Sequence, residues 1–214
     1  MNARRMTPAD RLLVNVDQAL RTLFGRPAVT GRPHPAAELA AGELDATERT
    51  LAMRLMRVNH TGEVCAQGLY QGQALTARLG TTRAKMEQAA AEENDHLDWC
   101  EQRVKELGGH TSVLNPFFYA GSFALGAVAG AVGDRWSLGF VAETERQVVH
   151  HLDEHLQHLP AQDAPSRAIV EQMKLDEAHH ATAAADAGGR PLPLPVRLAM
   201  RMTAKLMTRS VYWV

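Results

Sequence analysis

Glu93-Asn94-Asp95-His96 sets a carboxylate and an imidazole three residues apart, inside a run with no Pro or Gly from Thr81 to Leu107. Such a run predicts one helix, and the i, i+3 spacing puts both groups on the same face. The step returns as Glu177-Ala178-His179-His180. Each copy follows an isolated Glu at nearly the same distance: Glu63 lies 30 residues before Glu93, and Glu145 lies 32 before Glu177. Gly80 in the first interval, and Pro160 and Pro165 in the second, mark turns near the midpoint. Two helical hairpins would bring four Glu and two His to one level of a bundle.

That is the ligand set of carboxylate-bridged dimetal proteins, a Glu from each of two helices and Glu-x-x-His from the other two. Four buried carboxylates would repel and take up protons, whereas two divalent ions with neutral imidazoles cancel their charge. The oxygen-rich shell suits iron or manganese better than zinc. Spacing alone leaves three choices open: iron or manganese, Glu143 or Glu145, and Glu177 with His180 or Asp176 with His179. Any one of these residues alone reads equally well as a solvated surface group; the repeated constellation is what argues against that. His60, three residues before Glu63, reads as a hydrogen-bonding residue behind the ligands. His151, His155 and His158 read as a solvated stripe near a helix end, with His151 the nearest to the metal shell.

The elements that must position these residues follow from periodicity and breakers. An amphipathic helix begins at Thr7-Pro8-Ala9-Asp10, with Leu12, Leu13, Val16, Leu20, Leu23 and Phe24 on one face, and a Pro- and Gly-punctuated linker follows over 26–35. Bundle helices are expected at about 45–79, 81–107, 136–159 and 166–187. Of the two glycines inside the first, Gly72 reads as close packing and Gly62 as room beside Glu63. The stretch 111–133 holds 23 residues without a formal charge. It is long enough to span a bilayer, but Asn115-Pro116 and four glycines favour a crossover helix buried against the bundle or dipped into one leaflet. After Pro191, Pro193 and Pro195, the basic residues Arg197, Arg201, Lys205 and Arg209 alternate with apolar ones. This predicts a helix for a membrane surface or for closing the bundle. The expected units are 1–48, an amphipathic helix with its linker; 49–189, the bundle; and 190–214, the C-terminal helix.

Composition agrees with an all-α chain: aromatic residues are only 5%, and the net charge is -1 from 23 basic and 24 acidic side chains, so nothing calls for nucleic acid. Cys65 and Cys100 lack metal-type spacing and read as buried thiols in a reducing compartment. The N-terminal Arg4 and Arg5 have no apolar stretch behind them, so no signal peptide is expected.

Arg57-Val58-Asn59-His60-Thr61-Gly62-Glu63 and Tyr70-x-Gly72-Gln73 resemble the demethoxyubiquinone hydroxylases of ubiquinone biosynthesis. The likeness continues through Glu93-x-x-His96, Phe123-Ala124-Leu125-Gly126, Val141-Ala142-x-x-Glu145, His150-His151 and Asp176-Glu177-x-x-His180. It covers roughly residues 50–190. The resemblance implies a ferritin-like four-helix bundle and diiron ligands at Glu63, Glu93, His96, Glu145, Glu177 and His180, which decides against Glu143 and against Asp176 with His179. It further implies O2 as co-substrate, a prenylated quinol as substrate, an electron donor, and a peripheral position on the cytoplasmic face of the cell membrane. A homo-oligomer or a biosynthetic complex would be in keeping. Val64 and Leu152 stand where some members have Tyr, so no tyrosine relay at those positions carries over. The rival expectations are a ferritin-type iron-storage bundle, disfavoured by the uncharged crossover, and a non-enzymatic membrane adaptor, which would hold no stoichiometric iron.

Overall fold

The computed structural model describes residues 7–40 and 42–214, so Arg4 and Arg5 lie outside it, as does the side chain of Leu12. Among the described residues there are seven helices and no strand: α1 (Pro8–Phe24), α2 (Ala46–Thr76), α3 (Gly80–Glu106), α4 (Asn115–Val132), α5 (Asp134–His158), α6 (Ala164–Asp186) and α7 (Leu194–Val211). Sequence chemistry places their ends. Asp45 accepts from the backbone N–H groups of Thr47 and Glu48, and the Glu48 side chain accepts from Asp45 N, so α2 starts with a closed capping box. Asp163 caps α6 ahead of Pro165. Gly133, at φ +135°, joins α4 to α5 with no intervening loop, a conformation that L side chains rarely adopt.

α2 and α3 form one antiparallel hairpin, and α5 and α6 form another. Their docking is set by a seven-residue repeat that brackets each expected ligand. Met56 and Tyr70 flank Glu63, Met86 and Cys100 flank Glu93, Leu138 and Leu152 flank Glu145, and Val170 and Ala184 flank Glu177; all eight are buried. Residues seven apart lie on one helix face, so the acidic level is sandwiched between two apolar layers. Burying a large apolar side chain contributes roughly 1.5–3 kcal/mol, and these layers offset the cost of the carboxylates between them.

α4 lies across α2 and α5. Its approach to α2 is backbone on backbone: a Cβ at Gly126 would meet the Leu69 carbonyl oxygen, and one at Gly72 would meet that of Phe123. Gly72 is therefore a packing glycine, as expected, while a Cβ at Gly62 would meet nothing within 4 Å. Among the described residues no helix is long and apolar enough to cross a membrane.

The sequence leaves open what the α1 stripe meets. Leu13, Val16, Leu20 and Phe24 are exposed, while Leu23, with Ala19, packs against Val64, Leu97 and Tyr119. One expectation needs correction: His151, His155 and His158 of α5 are not a solvated stripe. His155 is buried and its ring centroid lies 3.9 Å from that of half-buried His151, with the rings tilted, so that of these three His158 is the exposed one. The i, i+4 spacing was right, but that face turns inward beside Leu152 and Leu156 rather than to water.

Candidate metal centre

All six expected ligands are buried and meet at one level of the bundle. Donor atoms of Glu63, Glu93, His96 and Glu177 lie within 4.8 Å of one another. His96 Nδ1 is 2.7 Å from Glu93 Oε2, 3.2 Å from Glu177 Oε1 and 3.8 Å from Glu63 Oε2. His180 Nδ1 is 3.1 Å from Glu93 Oε1 and 3.4 Å from Glu177 Oε2. Glu93 and Glu177 thus each turn one oxygen to either imidazole. Glu145 joins through a hydrogen bond with Glu177 and accepts from the Tyr70 hydroxyl at 2.5 Å.

The residues that compete for these roles are engaged elsewhere. Glu143 pairs with Arg197 of α7 at 3.0 Å, and His179 is exposed. Asp176 stands behind His96: His96 Nε2 donates to its Oδ2 at 2.9 Å. Glu92 does the same for His180, accepting from Nε2 at 2.7 Å. Spacing alone does not single out Glu92 and offers Asp176 only as a ligand. The signal was an acidic residue immediately before each Glu-x-x-His. A carboxylate on the far nitrogen fixes an imidazole's tautomer and rotation, leaving Nδ1 for an ion. His60 does not reach the cluster; its Nδ1 lies 3.4 Å from Asn115 Nδ2, and Asn115 in turn accepts from Thr61. His151 makes no hydrogen bond at Nε2, so neither histidine touches the carboxylates directly.

The electrostatics are those of buried acids packed against one another and against two imidazoles. Burial pushes Glu63 and Glu145 well above the usual carboxylate range, and the charges of Glu93 and Glu177 add to it. Burial alone would lower both histidines, but Glu93 and its neighbours more than reverse that, taking His96 well up and His180 to about 12. Buried Glu93 Oε1 has no hydrogen bond of good geometry despite its 3.1 Å approach to His180. An orphaned buried carboxylate oxygen among four Glu and two His fits a pair of divalent cations.

The profile of the ubiquinone biosynthesis protein COQ7 family matches residues 50–211, which takes in all six of these side chains and also α7. The chain belongs to the COQ7 family. Curated relatives agree along its whole length. The 3-demethoxyubiquinol 3-hydroxylase of Nitrosococcus oceani is 60% identical over all of both chains. Those of Nitrosomonas eutropha and Pseudomonas fluorescens are each 57% identical over 98% of this chain, covering 100% and 97% of their own lengths. Among solved structures, the bacterioferritin-related protein from Bacteroides fragilis, a dodecameric thioferritin, matches with a TM-score of 0.54 at 23% identity. That match covers 68% of this chain and 86% of the other. The COQ7 bundle is therefore ferritin-like in fold, as the two hairpins and their crossover require.

Proposed function

We propose that the chain is a 3-demethoxyubiquinol 3-hydroxylase, a diiron monooxygenase that adds one oxygen atom to the benzoquinol ring of a prenylated ubiquinone precursor. The observation that carries this reading is the buried set of four Glu and two His inside a COQ7 bundle. Glu63, Glu93 and His96, with Glu145, Glu177 and His180, would hold two iron ions, which when bound supply the activation of O2 that organic side chains lack. The chain's own residues do the rest. Asp176 and Glu92 orient the imidazoles, Tyr70 restrains Glu145, and the apolar layers above and below keep water from the reacting oxygen. A cleft of about 280 Å³ lined by Tyr70, Lys85, Glu92 and His180 lies beside the His180 end.

A prenylated substrate calls for a lipid surface, and α4 and α7 both pack on α2 and α5 and so share one side of the bundle. There they expose Phe117, Leu125 and Val128 and, in i, i+4 register, Leu194, Leu198, Met202 and Leu206, with Arg201, Lys205 and Arg209 beside them. The test combines both parts. Iron-loaded protein is mixed with anionic vesicles carrying the demethoxyquinol, a reductant and isotopically labelled O2. The expected result is sedimentation with the vesicles and product carrying one labelled atom. Unlabelled product, or none from protein that holds its iron, rejects the reaction; protein left in the supernatant rejects the lipid surface.

Ion uptake has a definite pH sign. His180 is raised to about 12, so at neutral pH it keeps a proton that an ion must displace, and Glu63, Glu145 and His96 are shifted in the same direction. Apparent affinity for Fe(II) is therefore expected to climb between pH 6 and 8, with protons released into a weakly buffered solution. A flat profile in an anaerobic calorimetric titration counts against the assignment.

A further inference from the structure

The two ends of the centre are built alike but charged differently. At one end, Asp176, which accepts from His96, also accepts from Arg32 Nη2 at 2.6 Å. At the other, Glu92 is bonded by His180 and by Gln88, a neutral partner. Among the described residues it has no Lys or Arg within ion-pair distance and feels Arg32 only from farther away. Arg32 belongs to the segment 26–40, ahead of the part that matches the family profile. That segment is strapped down at the level of the ligands. Thr30 donates twice to Asp95, at 2.7 Å from its backbone N–H and 2.5 Å from its hydroxyl, and Asn94 donates to Ala28 O at 3.2 Å. The Arg32 guanidinium sits 5.2 Å over the Trp99 ring, and Trp99 in turn lies 5.4 Å from the ring of His96. The Arg32 charge, shared with Asp176 and with Asp95 at 4.0 Å, thus lies over the His96 end in the wall of a cleft of about 600 Å³, whereas His180 itself lines the smaller cleft.

We infer that Arg32 is a positioning residue that makes the two ion positions inequivalent, giving the iron beside His96 the higher reduction potential. The inference rests on the diiron reading above. Two effects act in the same direction. Reduction of Fe3+ to Fe2+ takes up one electron, and a nearby cation favours the state with the added negative charge. A carboxylate already paired with a guanidinium also draws less on the imidazole N–H, so His96 donates less to its ion than His180, whose Glu92 has no such ion pair among the described residues.

The experiment is an anaerobic potentiometric titration of the full-length, iron-loaded protein, following the mixed-valence state by electron paramagnetic resonance, with iron content measured first. Arg32→Gln keeps a hydrogen bond but loses the charge; Arg32→Lys keeps the charge. Arg32→Gln is expected to lower the upper of the two midpoints and narrow the potential range over which the mixed-valence signal persists. Arg32→Lys should stay close to the parent, and Glu92→Gln should raise the lower midpoint. The inference is overturned if Arg32→Gln behaves like the parent, or if Gln and Lys shift the midpoints or lose iron equally, because an anchor without an electrostatic role gives those results. Parent protein that binds fewer than two irons defeats the functional reading instead.

Discussion

Glu63→Ala is expected to reduce hydroxylation to background and to lower bound iron, while the metal-free protein melts no lower than its parent. The asymmetry follows from where Glu63 sits. It is buried, its donor oxygen lies among those of Glu93, His96 and Glu177, and burial raises its pKa. A carboxyl whose folded pKa exceeds its unfolded value costs stability at every pH above the unfolded value. At neutral pH, removing Glu63 thus relieves a penalty as it opens a small void. With ions present the sign reverses, since binding only to the folded state stabilises it and the variant forfeits that gain. Melting curves with and without Fe(II), alongside product analysis, separate the two effects. Full product formation by the variant would remove Glu63 from the centre.

The second large effect is expected far from the carboxylates. Gly126→Ala should destabilise the fold by about 3 kcal/mol, the upper end of the usual cost of overpacking. The added Cβ meets the Leu69 carbonyl oxygen, carbon and Cα, all backbone of α2, and no rotamer change relieves it. Gly62→Ala is the internal control. It is helical, nothing lies within 4 Å of its new Cβ, and it is expected to gain about 1 kcal/mol from helix propensity. Urea unfolding of the pair gives the comparison; equal midpoints would mean that α4 does not rest on α2 backbone to backbone.

These cases mark how far the sequence can be read. The two Glu-x-x-His steps and their hairpin intervals are local, periodic signals, and helices are the elements in which local spacing dictates which side chains meet. Glu143 and Glu145 looked equivalent because hairpin length is too coarse to separate residues two apart. A finer signal was present: seven residues either side of Glu145 stand Leu138 and Leu152, both buried, whereas Glu143 has Trp136 and the exposed His150. The heptad places Glu145 in the core without any relative. Arg32 was not legible. Its partner Asp176 lies 144 residues away, and nothing in a linker's composition states which helix it will lie against. What the α1 stripe meets stayed open for a related reason, since amphipathicity reports a helix face but not whether the chain itself covers it.

The crossed carboxylates carry one more consequence. The group that orients His96 comes from the second hairpin, and the group that orients His180 comes from the first. Neither half of the protein therefore contains a finished imidazole ligand before the other arrives. Tight iron capture has to wait for the two hairpins to close on one another, which makes the cation a reporter of correct assembly and a lock upon it.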